Sequence, residues 1–332
     1  MTVKIESARN PFKVMKRIFQ IVTCLSLAHL VALALIAQTP ATPDDGQALL
    51  SAGKAAEARA AFEAALTLNP GDTAAQAGEV QASESIALQA RAGGQMDDAL
   101  RTLLHAKELV PGNGRLLYDL GILEDEMRLF HDADESLAQA EKAMPPDPKL
   151  LYAIARVKMD LGQLAPAEEK MLAYLAVRPD DASAHFGLGR IYQIGLKFDK
   201  AKSEFARSIE LKPVQTEAYY ELGDIALKQA DLGQAIEQFN KTLARNPQHG
   251  GALEGAGEAD FKLKKYDEAK GFLQRAVAAA PDYPPCHYYL GLTLARLGQK
   301  EESQRELETA SKMSEQQNST GPMRIQQPAA PQ

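Results

Sequence analysis

Catalysis needs a nucleophile beside a base, a metal site or a phosphate cradle, and this 332-residue chain spaces its candidate side chains for none of them. The histidines, His29, His105, His131, His185, His249 and His287, include no His-Glu-x-x-His pair that would aim two imidazoles at one metal from one helix face. Two cysteines, Cys24 and Cys286, are too few for a disulfide framework or a four-ligand structural zinc site. Cys286 follows Pro284-Pro285 at the start of an expected helix, where a thiol pKa can fall, but its one nearby histidine is its sequence neighbour His287. Gly187-Leu188-Gly189 follows no strand and so is not a phosphate loop, and the chain has neither a Walker sequence nor a Gly-x-Ser-x-Gly elbow. No cofactor, no metal and no enzymatic activity are expected.

The side chains that do recur suit binding. Tyr118, Tyr152, Phe186 and Tyr220 stand 34 residues apart, four rings in a chain that is only 6% aromatic and has no Trp. Arg115 and Lys149 precede the first two rings by three residues, and Arg156 and Arg190 follow the second and third by four. Rings with arginines are enriched at binding hot spots. At the corresponding places further along stand Glu217, Asp224, Glu254 and Glu258, so the surface carrying these residues should be basic first and acidic later. The other reading of the same column is packing, with the rings wedged between helices and the charges merely solvated.

The elements that position these residues follow from the same period. Prolines fall at 111, 145, 179, 213, 247 and 281, each 34 after the last, and Pro70 precedes the series by 41. With proline counted as position 32, position 8 is always Gly or Ala: Gly46, Ala87, Gly121, Ala155, Gly189, Gly223, Gly257 and Gly291. Position 20 holds Ala58, Ala99, Ala133, Ala167, Ala201, Ala235, Ala269 and Ser303. Position 24 holds Phe62, Leu103, Leu137, Met171, Phe205, Phe239, Leu273 and Leu307. Thirty-four residues fit two helices of about four turns with short connections. Small residues at 8 and 20 let the two backbones cross at the close end of the usual ~8–10 Å range, and position 24 fills the space one turn on. Proline stops each second helix at the same length. At 100° per residue, positions 2, 5, 9 and 12 fall together roughly 130° from the packing positions 4, 7, 8 and 11.

These columns resemble the tetratricopeptide repeat (TPR) family, with about eight repeats from about residue 39 to 313. The family's Trp at position 4 is replaced here by Leu117, Leu151, His185, Tyr219, Leu253 and His287. The resemblance implies an all-α, right-handed superhelical solenoid of antiparallel helix pairs. It also implies that positions 2, 5, 9 and 12 line a concave groove for peptides or protein partners. The groove residues would be Arg115, Tyr118, Lys149, Tyr152, Arg156, Phe186, Arg190 and Tyr220, and the partner would carry acidic residues toward repeats three to five. Family members that grip C-terminal carboxylates use an Asn at position 9, which is missing here.

Seven extra residues separate Pro70 from Pro111, close to two helical turns. They predict a first helix prolonged over Thr73 to Ala92, by ~10 Å at 1.5 Å per residue, with a longer loop around Gly93-Gly94 as the alternative. Residues 314–332 are Gln/Pro/Ser-rich without apolar periodicity and are expected to be a disordered tail. At the other end, Lys13, Lys16 and Arg17 precede an apolar run from Ile18 to Ala37, followed by Pro40 and Pro43. Residues 1–37 therefore read as a signal peptide with 38–313 as the solenoid, an uncleaved anchor over 18–37 being the alternative. Translation from Met1 or from Met15 fits equally.

The chain is 45% hydrophobic and 24% charged with a net charge of −7, which excludes wholesale disorder and gives nucleic acid no electrostatic attraction. The sequence points to an exported, periplasmic or extracellular interaction scaffold, or alternatively to a membrane-tethered envelope assembly or secretion component.

Overall fold

The computed structural model describes residues 42–320, and these form sixteen α-helices and no strand. The chain divides into two compact units after Pro145. The first unit holds α1 (Pro43–Ser51), α2 (Ala55–Leu68), α3 (Thr73–Ala92), α4 (Met96–Leu109), α5 (Gly114–Glu126) and α6 (Phe130–Ala143). The second begins with α7 (Pro148–Asp160), α8 (Leu164–Val177), α9 (Ala182–Ile194), α10 (Phe198–Leu211) and α11 (Thr216–Lys228). It continues with α12 (Leu232–Arg245), α13 (Gly250–Lys262), α14 (Tyr266–Ala279), α15 (Pro284–Arg296) and α16 (Lys300–Thr320). Odd and even helices pair in order, three pairs in the first unit and five in the second.

Local chemistry sets the helix ends. Each even-numbered helix from α2 to α14 stops two residues before its proline, from Leu68 before Pro70 to Ala279 before Pro281. Proline pushes the residue before it out of the helical region, so the stop is built into the sequence. Two residues later a short polar side chain often opens the next helix. Asp72 accepts from the Ala74 and Ala75 amides at 2.9 and 3.0 Å, and Asn113, Asp147, Asp181 and His249 cap in the same place. Within each pair, the turn passes through one left-handed residue. Glycine fills it at 53, 94, 162 and 298, but Arg128, Leu196, Ala230 and Lys264 sit there at φ of 56–63°.

Packing follows the small-residue columns. Ala58, Ala99, Ala133, Ala167, Ala201, Ala235 and Ala269 are fully buried. A Cβ on Gly223 would lie 2.7 Å from Phe239 Cδ1, so only glycine admits that ring at this distance. On its other side the same ring meets Gly255 of the next repeat, whose Cβ would fall 2.5 Å from Phe239 Cζ. Gly189 against Phe205 and Gly187 against Met171 repeat the arrangement, which accounts for Gly187-Leu188-Gly189 as packing. The position-24 side chain thus fastens its own helix pair and the following first helix at once, as a stack of units unable to bury their faces alone requires.

Thr73–Ala92 is one uninterrupted helix of 20 residues, whereas α5 and α7 have 13 each. At the far end the structure departs from the expectation of a disordered 314–332. Residues 314–320 continue α16, with Ser314 Oγ donating to the Ala310 carbonyl at 2.8 Å and Ser311 Oγ to Glu315 at 3.1 Å. A polar composition with helix-tolerant Glu, Gln and Met lets a packed helix propagate beyond its last core residue. The expected signal segment 1–37, with Cys24 and His29, and residues 321–332 lie outside the described residues. Among the described residues no helix is long and apolar enough to cross a membrane.

Candidate interaction groove

In the second unit the expected binding residues fall on the first helices of consecutive repeats. Lys149, Tyr152 and Arg156 lie on α7, Phe186 and Arg190 on α9, and Tyr220 on α11. Lys149 and Arg156 are exposed, while all three rings are half-buried. Each ring leans on a second-helix aromatic behind it. Tyr152 lies 5.2 Å from Tyr174, Phe186 5.5 Å from Phe205, and Tyr220 6.1 Å from Phe239, measured between ring centres. Tyr220 also stacks at 4.7 Å on His249 and abuts Gly251 of α13. The rings therefore spend part of their surface on packing and present the remainder outward.

The charges are less free than the sequence suggests. Arg190 pairs with Glu221 of α11, whose side chain is nearly buried, and Gln193 bridges Glu221 and Asp224 at 2.8 and 2.9 Å. Lys228 closes this chain onto Asp224 at 2.6 Å. Glu221 and Gln193 were not legible as site residues, because their link spans repeats and depends on side-chain direction. In the acidic half, Glu217 meets His249 at 3.3 Å and Glu258 meets Lys262 at 2.6 Å. Burial, reinforced by Glu258 and Asp224, lifts the Glu254 carboxyl to about 7.

In the first unit, Arg115 and Tyr118 lie on α5. Arg115 Nε is 3.1 Å from Asp119 and 3.5 Å from Glu84 of the long helix α3. Arg115, Asp119 and Glu84, with Leu88 and Arg91, line a cavity of about 410 Å³. Glu84 takes the column position that rings occupy in later repeats. Burial, followed by a hydrogen bond shared with Asp119, raises its carboxyl to about 7. Counted from Ala87 at position 8, Glu84, Leu88 and Arg91 fall at positions 5, 9 and 12, and they were missed because this repeat has no ring in the column that was followed.

The candidates for chemistry have structural places. Cys286 is buried, and burial together with Glu254 pushes its thiol up to about 12, so it is held as the unreactive thiol. His185 contacts Glu204 at 2.6 Å through Nδ1 and the Pro179 carbonyl at 2.9 Å through Nε2. His287 repeats both contacts with Glu306 and Pro281. At position 4, then, histidine ties the proline corner of one repeat to the second helix of the next. The shared 19-residue His-to-Glu spacing was the available signal. Among the described residues no three His, Cys, Asp or Glu side chains gather as a metal site.

A family model described as tetratricopeptide repeat matches residues 152–193, 196–241 and 220–284. Two further models of the same description match 260–318 and 46–72, so that the matches together take in more than half of the chain. No curated protein matches the sequence. Among solved structures, a tetratricopeptide repeat protein from Parabacteroides merdae ATCC 43184 superposes with a TM-score of 0.57 at 18% identity, covering 70% of this chain and 93% of that one. A chain of the APC/C hetero-tetramer Cut9-Hcn1 gives a TM-score of 0.55 at 13% identity, covering 72% of this chain and 52% of its own. Likeness at such identities establishes the helix-pair solenoid fold.

Proposed function

The chain belongs to the tetratricopeptide repeat family, and from that premise we propose that it is a protein-interaction scaffold without catalysis of its own, binding a peptide or protein segment on the first-helix face of α7, α9 and α11. The carrying observation is the half-buried column Tyr152, Phe186 and Tyr220, braced from behind by Tyr174, Phe205 and Phe239. Rings fixed in this way lose little freedom when a partner covers them, which is how aromatic anchors gain affinity. Exposed Lys149 and Arg156 beside Tyr152 favour a segment with acidic residues there. In the first unit the cavity at Arg115 and Leu88, with Tyr118 on the same helix as Arg115, would offer a second place for a partner segment. Residues 1–37 support export of this scaffold, with a basic start, an apolar run and Ala37 before the break.

The test is affinity purification from the native host with the wild type and two variants, each also melted. Truncating a buried aromatic or arginine anchor commonly costs ~2 kcal/mol or more. Tyr152→Ala and Arg156→Ala should therefore each weaken capture of the same partner at least tenfold. For Arg156→Ala the melting curve should hardly move, since an exposed charge adds little to stability. Unchanged capture with a lowered melting temperature for Tyr152→Ala would assign the rings to packing alone. Sequencing the N-terminus of the protein recovered from the envelope fraction tests export: a start near Gln38 is expected, and a full-length cytosolic product would overturn it.

A further inference from the structure

Four charged side chains line the cavity at α3 and α5, and they do not balance. Arg91 is taken up by Glu126 of α5 at 2.5 Å. Of the lining residues that leaves Arg115 to serve two carboxyls, Asp119 at 3.1 Å and Glu84 at 3.5 Å. Asp119 stands at position 6, where Gly187 and Gly255 admit a position-24 side chain in later repeats, so its carboxyl is no part of the packing pattern. Glu84 Oε1 is shut off from solvent and makes no hydrogen bond. The two acidic side chains still keep 25% and 24% of their surface exposed, so a group entering the cavity can reach them. Buried Leu103 and exposed Leu88 supply apolar wall.

We propose that this cavity takes a lysine or arginine side chain of a partner segment, its cationic head between Glu84 and Asp119 and its methylene stem along Leu88. The proposal rests on the reading of the first helices as a partner-binding face, and it makes α3 with α5 select basic residues where α7 selects acidic ones. Two adjoining carboxyls with one arginine leave a negative charge that a proton or a second cation must meet. In the free protein the proton meets it, which is why Glu84 is raised to about 7. Asp119 and Arg115 of α5 are the charged groups acting on Glu84; α4 adds only Leu103 to the lining, and Glu63 and Arg59 of α2 act on Glu79 instead. A lysine or arginine head brings both the charge and several donors. Its stem covers apolar surface while the head reaches the acids. An anionic group finds Arg91 and Arg115 already engaged. Because the bound cation displaces the proton, binding strengthens as pH rises through 7.

A photo-crosslinking amino acid at Gln81, an exposed and uncharged lining residue, reads occupancy of the cavity in the full chain. The probes are labelled nonapeptide pools with Ala, Leu, Ser and Gln mixed at eight positions and Lys, Gln or Glu fixed at the centre. At pH 8 the Lys pool should give at least threefold more adduct than the Glu pool, and its excess over the Gln pool should at least halve at pH 6. Asp119→Asn balances Arg115 against Glu84 alone and should bring the Lys pool down to the Gln pool. Equal adducts from the Lys and Glu pools, an excess of the Glu pool, or no adduct at position 81 would overturn the proposal whether or not the variant folds. A Lys excess that Asp119→Asn leaves intact would overturn it too. The same pools on a chain with the crosslinker at Lys149 keep the two readings apart. An excess of the Glu pool there retains the α7 groove even where position 81 fails, and no adduct at either position removes both.

Discussion

Replacing glycine by alanine at two sites of the second unit should move stability in opposite directions. Gly271 lies inside α14 with nothing within 4 Å of where a Cβ would stand. There the substitution brings only the helix-propensity gain, about 1 kcal/mol at most. Gly223 lies inside α11 and would gain the same propensity, yet its new Cβ would stand 2.7 Å from both Cδ1 and Cε1 of Phe239. Phe239 is 1% exposed and is held from its far side by Gly255, so it has no room to retreat. Overpacking of this kind typically costs ~1–3 kcal/mol, which outweighs the propensity term. The expected outcome is a loss of about 1–2 kcal/mol for Gly223→Ala and a gain of up to about 1 kcal/mol for Gly271→Ala. Urea denaturation followed by far-UV circular dichroism reads both, with midpoint and slope compared to the wild type. If Gly223→Ala were as stable as Gly271→Ala, the clamp on Phe239 by two successive repeats would be wrong.

The same measurement reaches three other features. Leu196 is 74% exposed and sits at φ 56°, so Leu196→Gly should stabilise by about 1 kcal/mol through relief of the left-handed conformation, and a destabilised variant would refute that reading. Ala201→Leu and Ala235→Leu, at fully buried crossings, should each cost ~1–3 kcal/mol, and wild-type melting for both would remove the 34-residue register. Burial raises Glu79 from an ordinary 4.5 to about 7, leaving Oε2 without a partner while Oε1 accepts from Ser83. The folded state then binds the proton more tightly than the unfolded one. Its contribution of roughly 3 kcal/mol is present below pH 4.5 and lost as pH rises through 7. Glu79→Gln should therefore lessen the fall in melting temperature of the first unit between pH 5 and pH 8, the remainder belonging to Glu84, and an unchanged pH profile would contradict the assignment.

The helix pairs were legible because their determinants are steric and repeat. Gly or Ala at position 8, Ala at 20 and proline at 32 act within one helix pair, so a 34-residue count exposes them. The left-handed turn within each pair was not read from the sequence: glycine marks it at Gly53 or Gly162, but at Leu196 or Lys264 the fold imposes it on a side chain that resists it. The ring column was legible as a column, yet its support was not. Phe205 and Phe239 occupy position 24, whereas Tyr174 stands three residues beyond it, outside any recurring pattern. The pairing of Arg190 with Glu221, 31 residues apart, depends on how two first helices sit side by side, which no single-repeat pattern encodes. Helix α16 outran its apolar periodicity because a helix already packed through Ala310 needs only local hydrogen bonds to continue to Thr320.

The scaffold reading is tested most directly by asking which face touches the partner. A photo-crosslinking amino acid placed at Lys149 or Arg156 on α7 would report contact on the first-helix face. The same probe at Leu172 on α8, which is 46% exposed, would report contact on the second-helix face. Irradiation in the native host should yield one shared covalent adduct from positions 149 and 156 and none from 172. An adduct from 172 with none from 149 or 156 would place the interaction surface on the second helices and contradict the groove.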